Sequence, residues 1–78
     1  MTHTLITDPA SLGATLRAAR RSVKLSQETL SLQTGISRPT IRAIESGKTT
    51  AHVGLVLQLC RDLGVTLHAT LPEQEPRK

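Results

Sequence analysis

The chain has 78 residues, with ten Lys and Arg against six Asp and Glu, and carries a net charge of +4. A chain of this length forms one small domain, for which a partner subunit is a common source of added stability. It contains no Phe, Tyr or Trp. Aliphatic residues must therefore build the core, and an aromatic stacking platform for single-stranded nucleic acid is excluded. Residues 1–48 hold seven basic and three acidic residues, which indicates a polyanionic partner.

The first helix is predicted to begin at Asp8-Pro9, with Asp8 as the N-cap and Pro9 at the first helical position. Apolar residues then recur at helical spacing and predict one buried face, formed by Leu12, Leu16, Ala19 and Val23. Residues 1–7 precede this helix as a short polar arm. They lack a basic region followed by a long apolar run, so we expect no signal peptide. No stretch approaches the roughly 20 apolar residues that span a bilayer, and we expect a cytoplasmic, nucleoid-associated protein.

The stretch SQETLSLQTGISRPTIRAIE, residues 26–45, predicts two short helices joined by a tight turn. Ser26 is placed to cap the first of them, Leu30 is its inward anchor, and Gly35 ends it. In the same way Ser37 is expected to cap the second helix, 37–46. Ile36 packs inward before this helix, and Ile41 and Ile44 form the buried stripe of the helix itself.

The remaining positions of that second helix carry hydroxyl and guanidinium groups, which suit base edges and phosphates in a major groove. Ser37, Arg38 and Arg42 are the predicted base-contacting residues. Thr40 either contacts a phosphate or packs locally. Gly47 is expected to end the helix, and Lys48 follows it at the groove edge as a predicted phosphate contact, together with Arg17 of the first helix.

A further helix is expected to start at Thr49 or Thr50 and to run to about Leu63, where Gly64 stops it. Its predicted buried face consists of Val53, Val56, Leu57, Cys60 and Leu63. Cys60 has no cysteine partner in the chain, and we expect it to act as a small buried hydrophobe.

Residues 65–71, VTLHATL, alternate apolar and polar side chains with the period of a β-strand. Unless Leu5 and Ile6 contribute a few residues, the sequence contains no second convincing strand, and a lone strand leaves its backbone groups unpaired. The prediction is therefore a two-stranded ribbon across the twofold axis of a homodimer. It would use Val65, Thr66, Leu67, His68, Ala69, Thr70 and Leu71. Pro72 ends the strand, and we expect residues 72–78 to form a disordered tail.

The segments GATLRAARRSVKLSQETL and QTGISRPTIRAIESGKT resemble the Cro/phage-repressor type of helix–turn–helix, the XRE family. The resemblance covers about Leu12 to Val65. It implies a lambda-repressor-like all-α domain of about four helices over residues 8–64. It further implies that Gln27 holds a backbone phosphate and that Arg20 and Glu45 form a structural ion pair. Pro39 stands where phage repressors often carry a base-reading polar residue.

Within that family, the length and the strand-like ending resemble the HipB-type antitoxins. This resemblance implies a homodimer on double-stranded operator DNA and a HipA-like Ser/Thr kinase toxin as a partner. The alternative is a stand-alone XRE-family regulator, phage-type or a restriction–modification controller, without a toxin. The three histidines share no metal-ligand spacing, and no nucleophile–base pair or phosphate loop is present. We therefore expect neither catalysis, metal nor cofactor.

Overall fold

The computed structural model describes residues 3–73 and contains four α-helices over that range. Helix α1 spans Pro9–Ser22, α2 spans Gln27–Thr34, α3 spans Arg38–Glu45 and α4 spans Val53–Asp62. Helix α3 packs against both α1 and α2. The predicted all-helical domain of about four helices is confirmed. None of the helices in the described range is long and apolar enough to cross a membrane.

Side-chain caps fix where the first three helices begin. Asp8 Oδ1 accepts the backbone N–H of Ser11 at 2.7 Å, and Ser11 Oγ accepts the backbone N–H of Asp8 at 3.3 Å. Ser26 and Ser37 each accept the backbone N–H three residues further on, at 3.0 and 3.3 Å. Each cap satisfies a donor that the first turn of a helix leaves free, and the three predicted caps are confirmed.

Two glycines let the chain turn at the ends of α2 and α3. Gly35 has a φ of 77° and Gly47 a φ of 87°, in the left-handed region that other residues adopt at a cost. At Gly47 space is limiting as well, because a Cβ there would lie 2.7 Å from the Cα of Ala10. The turn after α3 therefore packs directly on the start of α1.

The core is aliphatic and lies between the four helices. Its buried members are Leu16, Leu30, Ile36, Ile41, Ile44, Val56, Leu59 and Cys60. Leu16, Leu30, Ile41 and Leu59 are almost completely excluded from solvent. The expected burial of Cys60 is confirmed, and this burial raises the pKa of its thiol.

The start of α4 differs from the prediction. The helix begins at Val53, and His52 precedes it as an N-cap without a side-chain hydrogen bond. The preceding residues form a turn in which the N–H of Ala51 lies 3.4 Å from the carbonyl oxygen of Lys48. The predicted start at Thr49 or Thr50 is therefore wrong, because this turn takes up the residues after α3.

Three residues predicted to be buried are exposed instead. Val53 is 71% exposed and Leu57 40% exposed, whereas Leu59, which the prediction left out, is buried. Successive side chains of a helix are rotated by about 100° around its axis. Leu57 therefore lies to one side of the buried face that contains Val56 and Leu59. Val23 is also exposed, because α1 ends at Ser22 and the chain turns away there.

The segment after α4 carries neither helix nor strand within the described residues. Val65 closes the helix end by donating its N–H to the carbonyl oxygen of Cys60 at 2.8 Å, and it packs against the core. Leu67 and Leu71 are exposed. No strand pairs with this segment among residues 3–73, so its pairing across a dimer stays a prediction. Residues 74–78 of the predicted tail, and residues 1–2 of the predicted arm, lie outside the described range.

Candidate nucleic-acid interface

Helix α3 presents a cationic face to solvent while its opposite face lies in the core. Ile41 and Ile44 are 0% and 4% exposed. Arg38 and Arg42, one turn apart, are both exposed. Because residues four apart lie on the same side of a helix, the two guanidinium groups form one outward-facing pair. This face has the charge needed to meet a polyanion.

The N-terminus of α3 is held by two hydroxyl groups. The Oγ of Ser37 and the Oγ1 of Thr40 lie 2.8 Å apart, and the same Ser37 oxygen accepts the N–H of Thr40. The cap therefore uses the hydrogen and one lone pair of the Ser37 hydroxyl. One lone pair on Ser37 and the hydroxyl hydrogen of Thr40 stay free for a ligand.

A shallow cleft opens where α1, α2 and α3 meet. It is lined by Arg17, Arg20, Ser26, Gln27, Glu28, Arg38, Arg42, Glu45 and Ser46. Four of the seven residues predicted to contact DNA therefore lie around one cleft, although the chain separates Arg17 from Arg42 by 25 positions. The other three, Ser37, Thr40 and Lys48, lie outside its lining.

The cleft carries net positive charge, because four arginines face two glutamates. One of those arginines, Arg20, is fully engaged with Glu45 beneath the surface. The exposed cations Arg17, Arg38 and Arg42 are left to interact with solvent or a ligand. Guanidinium groups are donors only, so the complementary ligand is an acceptor-rich anion such as a phosphate.

The floor of the cleft is a buried ion pair. Arg20 donates from Nε to Glu45 Oε2 at 2.6 Å and from Nη2 to Glu45 Oε1 at 3.0 Å. Its Nη1 donates to the carbonyl oxygen of Leu25 at 2.7 Å. Both charged residues are less than a tenth exposed. The pair joins α1 to the end of α3 and also fixes the loop before α2, as a bidentate arginine can.

Glu45 has a third donor, which the sequence did not indicate. Gln27 Nε2 donates to Glu45 Oε1 at 3.0 Å, so the first residue of α2 is tied to the last residue of α3. Burial acts to raise the pKa of Glu45, but the hydrogen bonds from Arg20 and Gln27 and the nearby positive charge outweigh it. The pKa of Glu45 is lowered as a result.

A close backbone approach brings α1 to the C-terminal end of α3. A Cβ at Gly13 would lie 2.3 Å from the carbonyl oxygen of Ile44 and 2.7 Å from that of Glu45. These distances leave no room for a side chain, so the two helices meet through backbone at this point.

Sequence reasoning missed two hydrogen bonds that glutamine side chains donate between helices. One is the bond from Gln27 to Glu45, and the other is the bond from Gln58 Nε2 to the carbonyl oxygen of Thr34 at 3.0 Å. The second bond ties α4 to the end of α2. Periodicity gives no signal for either, because both glutamines lie off the apolar stripes and are joined to partners 18 and 24 positions away.

The helix–turn–helix family HTH_3 matches residues 16–69, which include α2, α3, α4 and the cleft. The chain belongs to this helix–turn–helix family. It is therefore a DNA-binding regulator domain of the XRE type. A relative from Sinorhizobium fredii (strain NBRC 101917 / NGR234), described as the uncharacterized HTH-type transcriptional regulator y4mF, is 36% identical over 67 residues. These make up 86% of this chain and 88% of that protein.

Solved structures show the same fold as this helix–turn–helix protein. A structure described as a HipB-O4 20mer complex aligns with a TM-score of 0.80 at 17% identity, over 91% of this chain and 100% of that one. A complex of a HipB variant with an O2 20mer aligns with a TM-score of 0.81, also at 17% identity, over 92% and 100%. At this identity the likeness concerns the fold.

Proposed function

We propose that this protein is a homodimeric repressor that binds double-stranded operator DNA in a sequence-specific manner and acts as a HipB-like antitoxin. In this role it also binds and neutralises a HipA-like Ser/Thr kinase toxin and represses the operon that encodes both. The observation that carries the DNA-binding part is the convergence of four predicted contact residues, from three helices, on one cationic cleft beside α3.

In the proposed complex, α3 enters the major groove. Arg38 and Arg42 read base edges from its exposed face, since a bidentate arginine–guanine contact is the commonest specific one. Ser37 contributes its remaining lone pair, which fits an amino group of adenine or cytosine. Such contacts select sequence, whereas contacts to phosphate do not.

The phosphate contacts set the position of the domain on the duplex. They come from Arg17 and Gln27 in the cleft, from the hydroxyl of Thr40, and from Lys48 after the turn. Gln27 is the first residue of α2, where free N–H groups and the helix dipole favour an anion. Phosphate contacts distributed on both sides of α3 would fix its angle in the groove.

The dimer is proposed to form through residues 65–71, which pair as antiparallel strands across a twofold axis. Two exposed leucines, Leu67 and Leu71, and a backbone without internal strand pairing support this part. A symmetric dimer would place two α3 helices in successive major grooves, about 34 Å apart, and so recognise a palindrome.

The antitoxin role is supported by the similarity in fold to HipB over the full length of the HipB chain. A stand-alone regulator is the second candidate, favoured by the y4mF relative, whose description names a transcriptional regulator and no toxin. Both candidates require operator binding, and they differ in the protein partner.

Two measurements test the proposal. Selection of binding sites from a random duplex library should yield a palindrome with half-sites about one helical turn apart. Failure to enrich any sequence would refute the repressor function. Affinity purification of the tagged protein from its native host should recover a kinase-like protein in stoichiometric amount. Recovery of the homodimer alone would favour the stand-alone regulator over the antitoxin.

A further inference from the structure

The contact between Gln27 and Glu45 carries one further inference. Glu45 is the last residue of α3, Gln27 is the first of α2, and their side chains meet at 3.0 Å in the cleft. Glu45 is buried and both of its carboxylate oxygens accept hydrogen bonds from Arg20, so its carboxylate is fixed in place. The half-buried Gln27 side chain therefore meets a rigid acceptor.

This acceptor determines the orientation of the Gln27 amide. A carboxylate only accepts hydrogen bonds, so the amide must direct its NH₂ group, and not its oxygen, toward Glu45. The reverse orientation would bring two oxygens without a hydrogen between them to 3.0 Å. An amide nitrogen carries two hydrogens, and Glu45 takes one of them. The second N–H is free for a ligand in the cleft, which Arg17, Arg38 and Arg42 also line.

We infer that Glu45 is a positioning residue for DNA binding: it orients the amide of Gln27 so that its second N–H binds a backbone phosphate seated in the cleft. The inference rests on the proposed DNA-binding function and adds a role for a residue that does not itself contact the DNA. The ligand is a phosphate because Arg17, Arg38 and Arg42 bring three guanidinium groups, which only donate hydrogen bonds, to the lining of the same cleft.

The test is a mutant cycle on a duplex of unselected sequence about 20 base pairs long, since phosphate contacts do not depend on sequence. Gln27→Ala should weaken binding about tenfold, as expected for loss of a hydrogen bond to a charged group. The slope of affinity against salt should stay unchanged, because a neutral side chain releases no counterion. Gln33→Ala, on the exposed end of the same helix and outside the cleft, is the matched control and should bind like the native protein.

The second arm removes the positioning acceptor while keeping the charge of the cleft. In Arg20→Met/Glu45→Leu one positive and one negative charge are lost together, and an apolar pair of similar size replaces the buried ions. In this background Gln27→Ala should have almost no further effect, because the amide is no longer oriented. Equal losses from Gln27→Ala in both backgrounds would overturn the inference while leaving the proposed DNA binding intact. Absence of any duplex binding by the native protein would instead refute the proposed function.

A measurement on the native protein needs no substitution. The two side-chain amide protons of Gln27 give separate NMR signals, and on addition of the same duplex one of them should shift while the one bound to Glu45 keeps its position. Two unmoved signals, in a sample where the backbone signals of α3 show that the duplex has bound, would overturn the inference.

Discussion

Arg20 and Glu45 lie 25 positions apart in the sequence, yet their side chains form two hydrogen bonds of 2.6 and 3.0 Å in the interior. Removing one partner leaves the other buried and charged. We expect Glu45→Ala to lower the free energy of unfolding by about 3–5 kcal/mol. The double variant Arg20→Met/Glu45→Leu should be close to native stability or above it. Chemical denaturation measures both. A double variant as unstable as Glu45→Ala would show that the pair itself, and not an unpaired charge, decides the stability.

The same pair makes stability depend on pH. The pKa of Glu45 is lowered in the folded protein, where burial is outweighed by the donors Arg20 and Gln27. A lowered pKa contributes stability that is fully present above the unfolded-state value, about 4.3, and is lost as the pH falls through the folded-state value. Asp8, whose pKa is lowered by its hydrogen bonds with Ser11, acts in the same direction. Thermal melting between about pH 7 and pH 2 should show the loss.

The control for this pH dependence is the Arg20→Met/Glu45→Leu variant. It keeps Asp8 and lacks the carboxylate of Glu45, so its stability should fall less steeply in acid. If the melting temperature of this variant fell with pH as steeply as that of the native protein, the loss of stability in acid would be due to other carboxylates.

Two glycines within helices offer a paired test of packing. Gly13→Ala places a Cβ against the carbonyl oxygens of Ile44 and Glu45, and should cost about 1–3 kcal/mol of stability. A Cβ at position 54 on α4 would have no neighbour within 4 Å. Gly54→Ala should therefore add about 0.5–1 kcal/mol to the free energy of unfolding, since alanine favours helix. Denaturant unfolding at constant pH measures the difference. Equal effects of the two substitutions would contradict the close approach of α1 and α3.

Substitutions of three arginines test the proposed division between base reading and phosphate binding. Arg38→Ala should relax base preference at one position of the selected site, by about 1–3 kcal/mol of discrimination. Arg17→Ala should weaken binding to all duplexes and reduce the salt slope by about one. Arg61→Ala, an exposed arginine on α4 outside the cleft, should leave both quantities unchanged. Binding-site selection and salt titration measure them. Unchanged specificity in Arg38→Ala would move base reading to other residues.

The proposed dimer ribbon predicts a change of oligomeric state. Leu67→Pro removes a backbone N–H and should convert the dimer to a monomer with weak operator binding. Leu5→Pro, at a site that is 84% exposed and outside any helix, is the matched control and should stay dimeric. Light scattering during gel filtration reports the mass. A Leu67→Pro protein that remained a tight dimer would exclude the ribbon.

Local signals in the sequence were sufficient for much of the fold. The N-caps Asp8, Ser26 and Ser37 and the end of α2 at Gly35 were predicted correctly. These features depend on residues only three or four positions apart, so the sequence shows them directly. The predicted start of α4 was wrong because Thr49 and Thr50 are typical N-cap residues, whereas in the structure they belong to the turn that follows Gly47. The turn also packs on α1 at Gly47 and Ala10, a contact between positions remote in sequence that local signals do not reveal.

The site was predictable in its parts but not in its arrangement. Amphipathicity indicated that Arg38 and Arg42 face outward, and family resemblance pointed to the pairing of Arg20 with Glu45. The bond from Gln27 to Glu45 depends on how closely α2 approaches the end of α3. That approach depends on how α2 packs against α3 through the shared core, which includes Leu30 and Ile41, and a pattern of single residues does not specify it.

The backbone approach at Gly13 also restricts how sequences with this arrangement can diverge. Sequences that keep α1 against the carbonyl oxygens of Ile44 and Glu45 are expected to favour glycine at this position, because an added methyl group would have to push the two helices apart. Position 54, equally helical but open, is free to vary. We therefore expect relatives that share this geometry to carry a glycine five positions after the capping aspartate, whatever residues occupy the exposed face of α3.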